Sequence, residues 1–186
     1  MTQEIEILAP VNTTLAEALK ALRVFGEPAV QHINDAYYTH QSIPLIQTNE
    51  DLLYGSLRIR EKNGKFILTV KKDEFENGQW LYSDEHEVEV ANKTEAHAVL
   101  AALGFCVAAT LTTTRHAYRT HDFEIVLDNV QELGVFLEVE AKTAGEPREL
   151  KHKVRAFLRS LPLPLGEELT IGKYELALRK TEKANK

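Results

Sequence analysis

Apolar and polar residues alternate with a period of two along much of this chain, the spacing of strands whose successive side chains point to opposite faces. EIEIL near the N-terminus sets Glu4 and Glu6 against Ile5 and Ile7. LRIREK sets Arg58 and Arg60 against Leu57 and Ile59, and KFILTVK sets Lys71, with Ile67 and Thr69, against Phe66, Leu68 and Val70. Further strands are predicted at WLYSDEHEVEV, TLTTTRHAY, DFEIVLD and VFLEVEA; Glu124 and Asp128 share one face, as do Glu138, Glu140 and the following Lys142. Asn63-Gly64 suits a two-residue type I′ turn between two of these runs. Such a turn pairs Lys62 with Lys65, which puts Arg60 opposite Ile67, Arg58 opposite Thr69, and both arginines on one face with Lys71. The same count across Asn77-Gly78 places Lys71 opposite Asp84 and turns Glu85, Glu87 and Glu89 away. A bulge or an odd-length loop around DEFENG brings these three glutamates back.

Three segments change to helical spacing. Leu15, Leu19 and Leu22 follow a Thr14/Glu17 capping box and run toward Gly26. A second helix starts after Thr94, carries Ala96, Val99, Leu100 and Leu103, and stops at Gly104. A third starts near Pro147, lines up Leu150, Val154, Phe157, Leu158 and Leu161, and ends before Pro162 and Pro164. Its opposite face, with Lys151, Lys153, Arg155 and Arg159, reads as a solvated basic surface. This order predicts an α+β chain, mainly antiparallel β, with helices outside the sheet. One domain is expected through residue 179, with a flexible tail over 180–186.

Composition removes several function classes. With 44% apolar and 27% charged residues in 186, the chain is globular. Its net charge of −6 argues against a nucleic-acid binder that works through a general basic surface. The longest uncharged run, 98–114, holds Gly104 and four threonines and is too short for a membrane helix. The acidic N-terminus carries no signal-peptide pattern, and the single cysteine, Cys106, reads as a buried thiol in a reducing compartment, so a cytoplasmic location is expected. There is no P-loop, and His86, His97, His116 and His121 lack metal-ligand spacing and read as surface or capping residues.

The charged face of the sheet admits two arrangements. It is washed by solvent, or it curls inward as the sheet closes into a barrel. Its charges come in clusters of both signs, carboxylates at Glu4/Glu6 and Glu138/Glu140 and cations at Arg58/Arg60, Lys71 and Arg115. A charged lumen requires charged contents, because unpaired buried ions are very costly. Divalent cations on the carboxylates and a polyanion on the arginines and lysine satisfy both sets.

EIE, LRIR, LTVKK, LAALGF ahead of TTTRHAY, IVLDNVQELGVFLEVE and GKYEL, taken together, resemble the CYTH superfamily. These are the triphosphate tunnel metalloenzymes, which include class IV adenylyl cyclases, thiamine triphosphatases and inorganic triphosphatases. The resemblance spans nearly the whole chain and implies an eight-stranded closed antiparallel barrel, a tunnel, with flanking helices. It implies catalytic roles for Glu4, Glu6, Arg58, Arg60, Lys71 and Arg115. Substrate contacts would come from Arg58, Arg60, Lys71, Arg115, Lys142 and Tyr174. Glu4, Glu6, Asp128, Glu138 and Glu140 would hold Mg²⁺ or Mn²⁺, which favour oxygen ligands. Glu85, Glu87, Glu89 and Lys173 are further candidates, and Asp35 and Tyr37 fit the family's Asp-x-Tyr region.

The implied activity is metal-dependent hydrolysis of inorganic tripolyphosphate, thiamine triphosphate or a nucleotide. The alternatives are cyclisation of ATP to cyclic AMP and pyrophosphate, and a catalytically weakened triphosphate-binding module. The implied partner is the small-molecule triphosphate, with no membrane, and a homodimer is compatible. Three positions depart from the family pattern: Leu8 and Thr113 stand where it has lysines, and Thr39 where it has a second aspartate. Lys142, Lys173 or the metals are the available compensation. Trp80 and Tyr82 read as packing residues, with base stacking at a tunnel mouth as the alternative.

Overall fold

The computed structural model describes residues 2–40 and 55–184. Among these residues, nine antiparallel strands form one sheet in the order β1-β6-β5-β4-β3-β7-β8-β9-β2. The two ends of that order, β1 (Thr2–Glu4) and β2 (Glu6–Pro10), are one extended segment notched at Ile5. β1 pairs with β6 (Gln79–Val90) and β2 with β9 (Gly134–Ala141), so the sheet closes on itself. The notch accounts for nine strands in place of the expected eight: the chain hands its pairing from one neighbour to the other within a single residue.

The remaining strands are β3 (Ala29–His40), β4 (Gly55–Lys62), β5 (Lys65–Glu76), β7 (Phe105–Arg119) and β8 (Phe123–Val130). The β4–β5 register is the expected one, Lys62↔Lys65, Arg60↔Ile67 and Arg58↔Thr69, and Asn63 and Gly64 both have positive φ. On β6 the pairing steps from Phe75↔Trp80 to Glu74↔Tyr82, and the bulge restores Lys71↔Glu85 and Thr69↔Glu87. β3 did not stand out in the sequence. Its inward residues, Ile33, Asp35 and Tyr37, mix apolar with charged, and an irregularity at Tyr37/Tyr38 interrupts the alternation.

Among the described residues, four α-helices cover the barrel. α1 (Leu15–Leu22) begins at the expected capping box, with Thr14 Oγ1 accepting from the Glu17 amide and the Glu17 carboxylate accepting from the Thr14 amide. α1 and α3 (Pro147–Ser160) bury Leu22, Val154 and Leu158 against Ile7, Ile125, Leu127, Leu137 and Val139, the outward residues of β2, β8 and β9. α2 (Lys93–Ala102), capped by Asn92, lays Leu100 on Tyr38, Leu57 and Ile59. α4 (Lys173–Ala184) has no counterpart among the expected helices and continues past residue 179, where the domain was expected to end. It packs Tyr174, Leu176 and Ala177 against Leu8, Tyr37, Leu111, Val130 and Phe136. Among the described residues no helix is long and apolar enough to cross a membrane.

Three expectations fail on packing grounds. Cys106 is exposed: its apolar run lies at the end of the β3–β7 ribbon, where among the described residues it pairs with Thr39. His116 is buried on the outward face of β7, opposite Leu127, and its Nδ1 has no partner among the described residues. Lys151, assigned to the solvated face of α3, is only 5% exposed.

Gly55 illustrates how tightly the strands meet. A Cβ there would lie 2.2 Å from the Lys71 carbonyl oxygen, and the Gly55 carbonyl accepts from the Tyr174 hydroxyl at 2.6 Å. Gly55→Ala is therefore expected to cost about 1–3 kcal/mol as over-packing, read from the urea midpoint, and an unchanged midpoint would contradict this register.

Candidate active site

The period-two patterning sends one face of every strand into the barrel, and there it lines a cavity of about 280 Å³. Cross-strand rows order the lining. Tyr37, Arg58, Thr69 and Glu87 face one another across β3, β4, β5 and β6. Arg119, Glu124, Glu140 and Glu6 do the same across β7, β8, β9 and β2. Nine carboxylates and seven basic side chains among the described residues line the space. Acids outnumber bases, and this sets the electrostatics.

Three ion-pair groups hold most of the charge. Lys71 Nζ lies 2.5 Å from Glu4, 3.5 Å from Glu6 and 3.9 Å from Glu85. Arg58 reaches Glu85 at 3.2 Å and Glu87 at 3.9 Å, while Thr69 donates to Glu87. Across the barrel, Arg115 grips Asp128 with two hydrogen bonds, 2.9 and 2.7 Å, and Glu138 with one at 3.0 Å. Lys173, from the first turn of α4, joins the same carboxylates at 2.6 and 2.5 Å. Arg60 forms a bidentate pair with Asp35, both bonds 2.8 Å.

Burial shifts the protonation of what is left over. Desolvation works against the Glu4 carboxylate, but the hydrogen bond from Glu85 and the Lys71 ammonium outweigh it and hold Glu4 at about 2. Desolvation and the shared hydrogen bond push its partner Glu85 up to about 8. Glu140 also rises to about 8, through desolvation and then the negative charges of Glu4 and Glu6, and among the described residues no cation pairs with it. Burial raises Glu6 against the pull of Lys71, whereas Lys173 and Arg115 overcome the burial of Asp128 and Glu138 and hold both low. The guanidinium of Arg58, although paired, keeps a buried Nε with no acceptor. The cavity thus contains protonated carboxyls that a cation would ionise and a donor that an anion would satisfy.

This donor chemistry fits an oxygen-ligated divalent ion. In this arrangement, no group of three or more histidine, cysteine or acidic side chains among the described residues is gathered as a ready metal site. The carboxylates of Glu4, Glu6 and Glu138 are instead held by Lys71, Lys173 and Arg115.

The structure gathers most of the candidates drawn from the sequence. Glu4, Glu6, Arg58, Arg60, Lys71, Arg115, Glu138, Glu140, Glu85, Glu87, Lys173 and Tyr174 line the cavity, and Asp128 sits behind Arg115. Lys142 and Glu89 are not brought in. Lys142 lies just beyond β9, exposed, with Nζ on the Thr120 carbonyl, and Glu89 pairs with exposed Lys65. Leu8 lies opposite Glu138, and Lys173 supplies to that glutamate the charge a lysine at position 8 would have brought. Thr113 is buried opposite Ile33. Tyr174 stacks on Tyr37 with ring centres 4.7 Å apart. Lys151 was missed as a site neighbour, its Nζ donating to the Glu6 carbonyl at 2.6 Å, whereas Trp80, read as a packing residue with a place at the tunnel mouth as the alternative, lines the cavity. Only a contact 145 residues apart in sequence reveals the first of these.

Comparison with known proteins agrees with this geometry. The sequence model of the CYTH domain matches residues 2–170. A proposed adenylate cyclase of Methanocaldococcus jannaschii is 32% identical over 178 residues, 95% of this chain and 97% of that protein. Among solved structures, a Pyrococcus horikoshii protein, PH1819, superposes with a TM-score of 0.78 at 27% identity, covering 95% of this chain and 99% of its own. A proposed adenylyl cyclase of Hippeastrum, described as having a dominant triphosphatase activity, superposes at 0.64 with 20% identity, over 97% of this chain and 96% of its own. The barrel, its charged lumen and a match over most of the sequence place this chain in the CYTH domain family.

Proposed function

We infer that the protein is a divalent-metal-dependent triphosphatase that works inside the barrel. The observation that carries this reading is the mixed, unbalanced charge of the closed cavity, nine carboxylates against seven basic side chains among the described residues, with a buried Arg58 Nε that has no acceptor. A polyphosphate would draw Arg58, Arg60, Lys71 and Arg115 away from their carboxylates. The freed Glu4, Glu6 and Glu138, together with Glu140, would then hold Mg²⁺ or Mn²⁺. When bound, the ion supplies Lewis-acid polarisation of phosphoryl oxygens. The chain's own part is positioning and charge stabilisation: the guanidiniums orient the phosphate oxygens and meet charge as it develops on them. Tyr174, fixed by its stack on Tyr37 and its bond to Gly55, closes the wall near Lys173.

Hydrolysis is preferred to cyclisation because the lining is dominated by charged groups suited to phosphates. The cyclase reading draws on the M. jannaschii relative that bears that name. Incubation with Mg²⁺ or Mn²⁺ and tripolyphosphate, thiamine triphosphate or ATP separates them. Release of inorganic phosphate is expected, and Arg58→Ala should lower kcat/KM about 100-fold or more. Cyclic AMP with pyrophosphate from ATP would replace this reading by the cyclase, and no turnover of any triphosphate would remove both.

Buried carboxyls also set a pH dependence. Glu85 and Glu140 have an ordinary value of 4.5 and titrate near 8 in the fold. A raised carboxyl contributes stability that is complete below about 4.5 and lost as pH rises through about 8. Glu4, held near 2, acts oppositely, its contribution being lost only as pH falls through that value. In EDTA the melting temperature is therefore expected to fall from pH 5 to 8.5, with a shallower slope in Glu140→Gln. A flat wild-type profile across that window would show these carboxyls ionised throughout.

A further inference from the structure

The seam where the barrel closes leaves one edge of β2 without a strand beside it. Because Ala141 donates to the Ile5 carbonyl and Val11 to the Val135 carbonyl, the carbonyls of Glu6, Leu8 and Pro10 point away from β9 toward this open edge. Buried backbone carbonyls need partners. Pro10 takes the Gly166 amide and Leu8 the Leu169 amide, both at 2.8 Å, from the segment that follows α3. On the far side, β6 pairs with the chain only as far as Glu4↔Ser83. The Glu6 carbonyl falls between these two reaches, and Lys151 Nζ fills the position at 2.6 Å.

The lysine is itself fixed. Trp80, the single tryptophan of the protein, places its ring 5.2 Å from Nζ and donates through Nε1 to Ser83, which donates in turn to Asp73. Glu168 lies 3.9 Å from Nζ and is gripped by Arg155 from the next turn of α3. Lys151 therefore ties α3, the β6 side of the seam and the β2 side to one backbone oxygen. The carboxylates of Glu4 and Glu6 straddle that same notch, one carried on each side.

We propose that Lys151, steadied by Trp80, is a positioning residue that clamps the barrel seam at the Glu6 carbonyl and so fixes the spacing of Glu4 and Glu6 for a shared divalent cation. This deepens the reading of the cavity as a metal-dependent site and rests on it. Lys151 touches neither substrate nor metal. It acts through the backbone of Glu6.

Binding of Mn²⁺, followed by the electron paramagnetic resonance of the free ion well below the melting temperature, tests the assignment without turnover. Lys151→Met is expected to weaken Mn²⁺ binding about tenfold, as loss of a residue that orients a metal ligand does, and to leave the affinity for tripolyphosphate in EDTA unchanged. Val154→Ala, in the core of the same helix, should lower the melting temperature and leave the Mn²⁺ affinity unmoved. Should Lys151→Met not fold, Trp80→Leu, which uncovers Nζ, must shift Mn²⁺ affinity in the same direction by a smaller factor. Mn²⁺ binding unchanged in the folded Lys151 variant, or weakened equally by Val154→Ala, overturns the clamp alone. A wild-type protein that binds no Mn²⁺ overturns the metal-site reading and the clamp with it.

Discussion

Opposite charges confined in a closed sheet are the constraint on which the rest of this structure depends. Each buried ion would cost several kcal/mol if left alone, so acids and bases must meet across the lumen. They do so in a fixed pattern, Lys71 with Glu4, Arg60 with Asp35, and Arg115 and Lys173 with Asp128 and Glu138. The pattern leaves an acid surplus, borne by Glu85 and Glu140 as protonated carboxyls. Such a lumen is composed of pairs that, in the proposed function, a polyanion and a cation replace together.

Closure makes this possible. A sheet of this length with an open edge would let water reach the charged face, and the pairs would be weak surface ones. The notch at Ile5 lets one short segment serve as both first and last strand. The apolar clusters packed by α1, α2 and α3 then lie outward, while α4 packs on Leu8, Tyr37, Val130 and Phe136 and inserts Lys173 and Tyr174 at one end. The helices supply hydrophobic burial that holds the polar interior closed.

Much of this was legible because period two is a strong signal. Arg58, Arg60 and Lys71 share a face by counting through Asn63-Gly64, and the DEFENG bulge that restores Glu85 and Glu87 was foreseeable as one of two registers. What escaped depends on long-range contact. Lys151 lies on the polar side of an amphipathic helix, and nothing local distinguishes it from Lys153, which stays exposed. β3 hid because an inward strand carrying Asp35 between Ile33 and Tyr37 resembles neither face of an ordinary sheet. The apolar run around Cys106 looked like core because hydropathy does not register that a ribbon has run past its neighbours. The charge that Leu8 lacks comes from Lys173, on a helix the sequence did not announce.

In the proposed function the ion pairs of the lumen are placeholders, exchanged for metal and polyphosphate. A crystal structure with Mn²⁺ and tripolyphosphate, located by the anomalous scattering of manganese, tests this directly. Manganese is expected between the Glu4 and Glu6 carboxylates, with Lys71 drawn beyond ion-pair distance of Glu4 and phosphate oxygens on Arg58 Nε. Intact Lys71–Glu4 and Arg115–Glu138 pairs, with metal and phosphate bound outside the barrel, would contradict it.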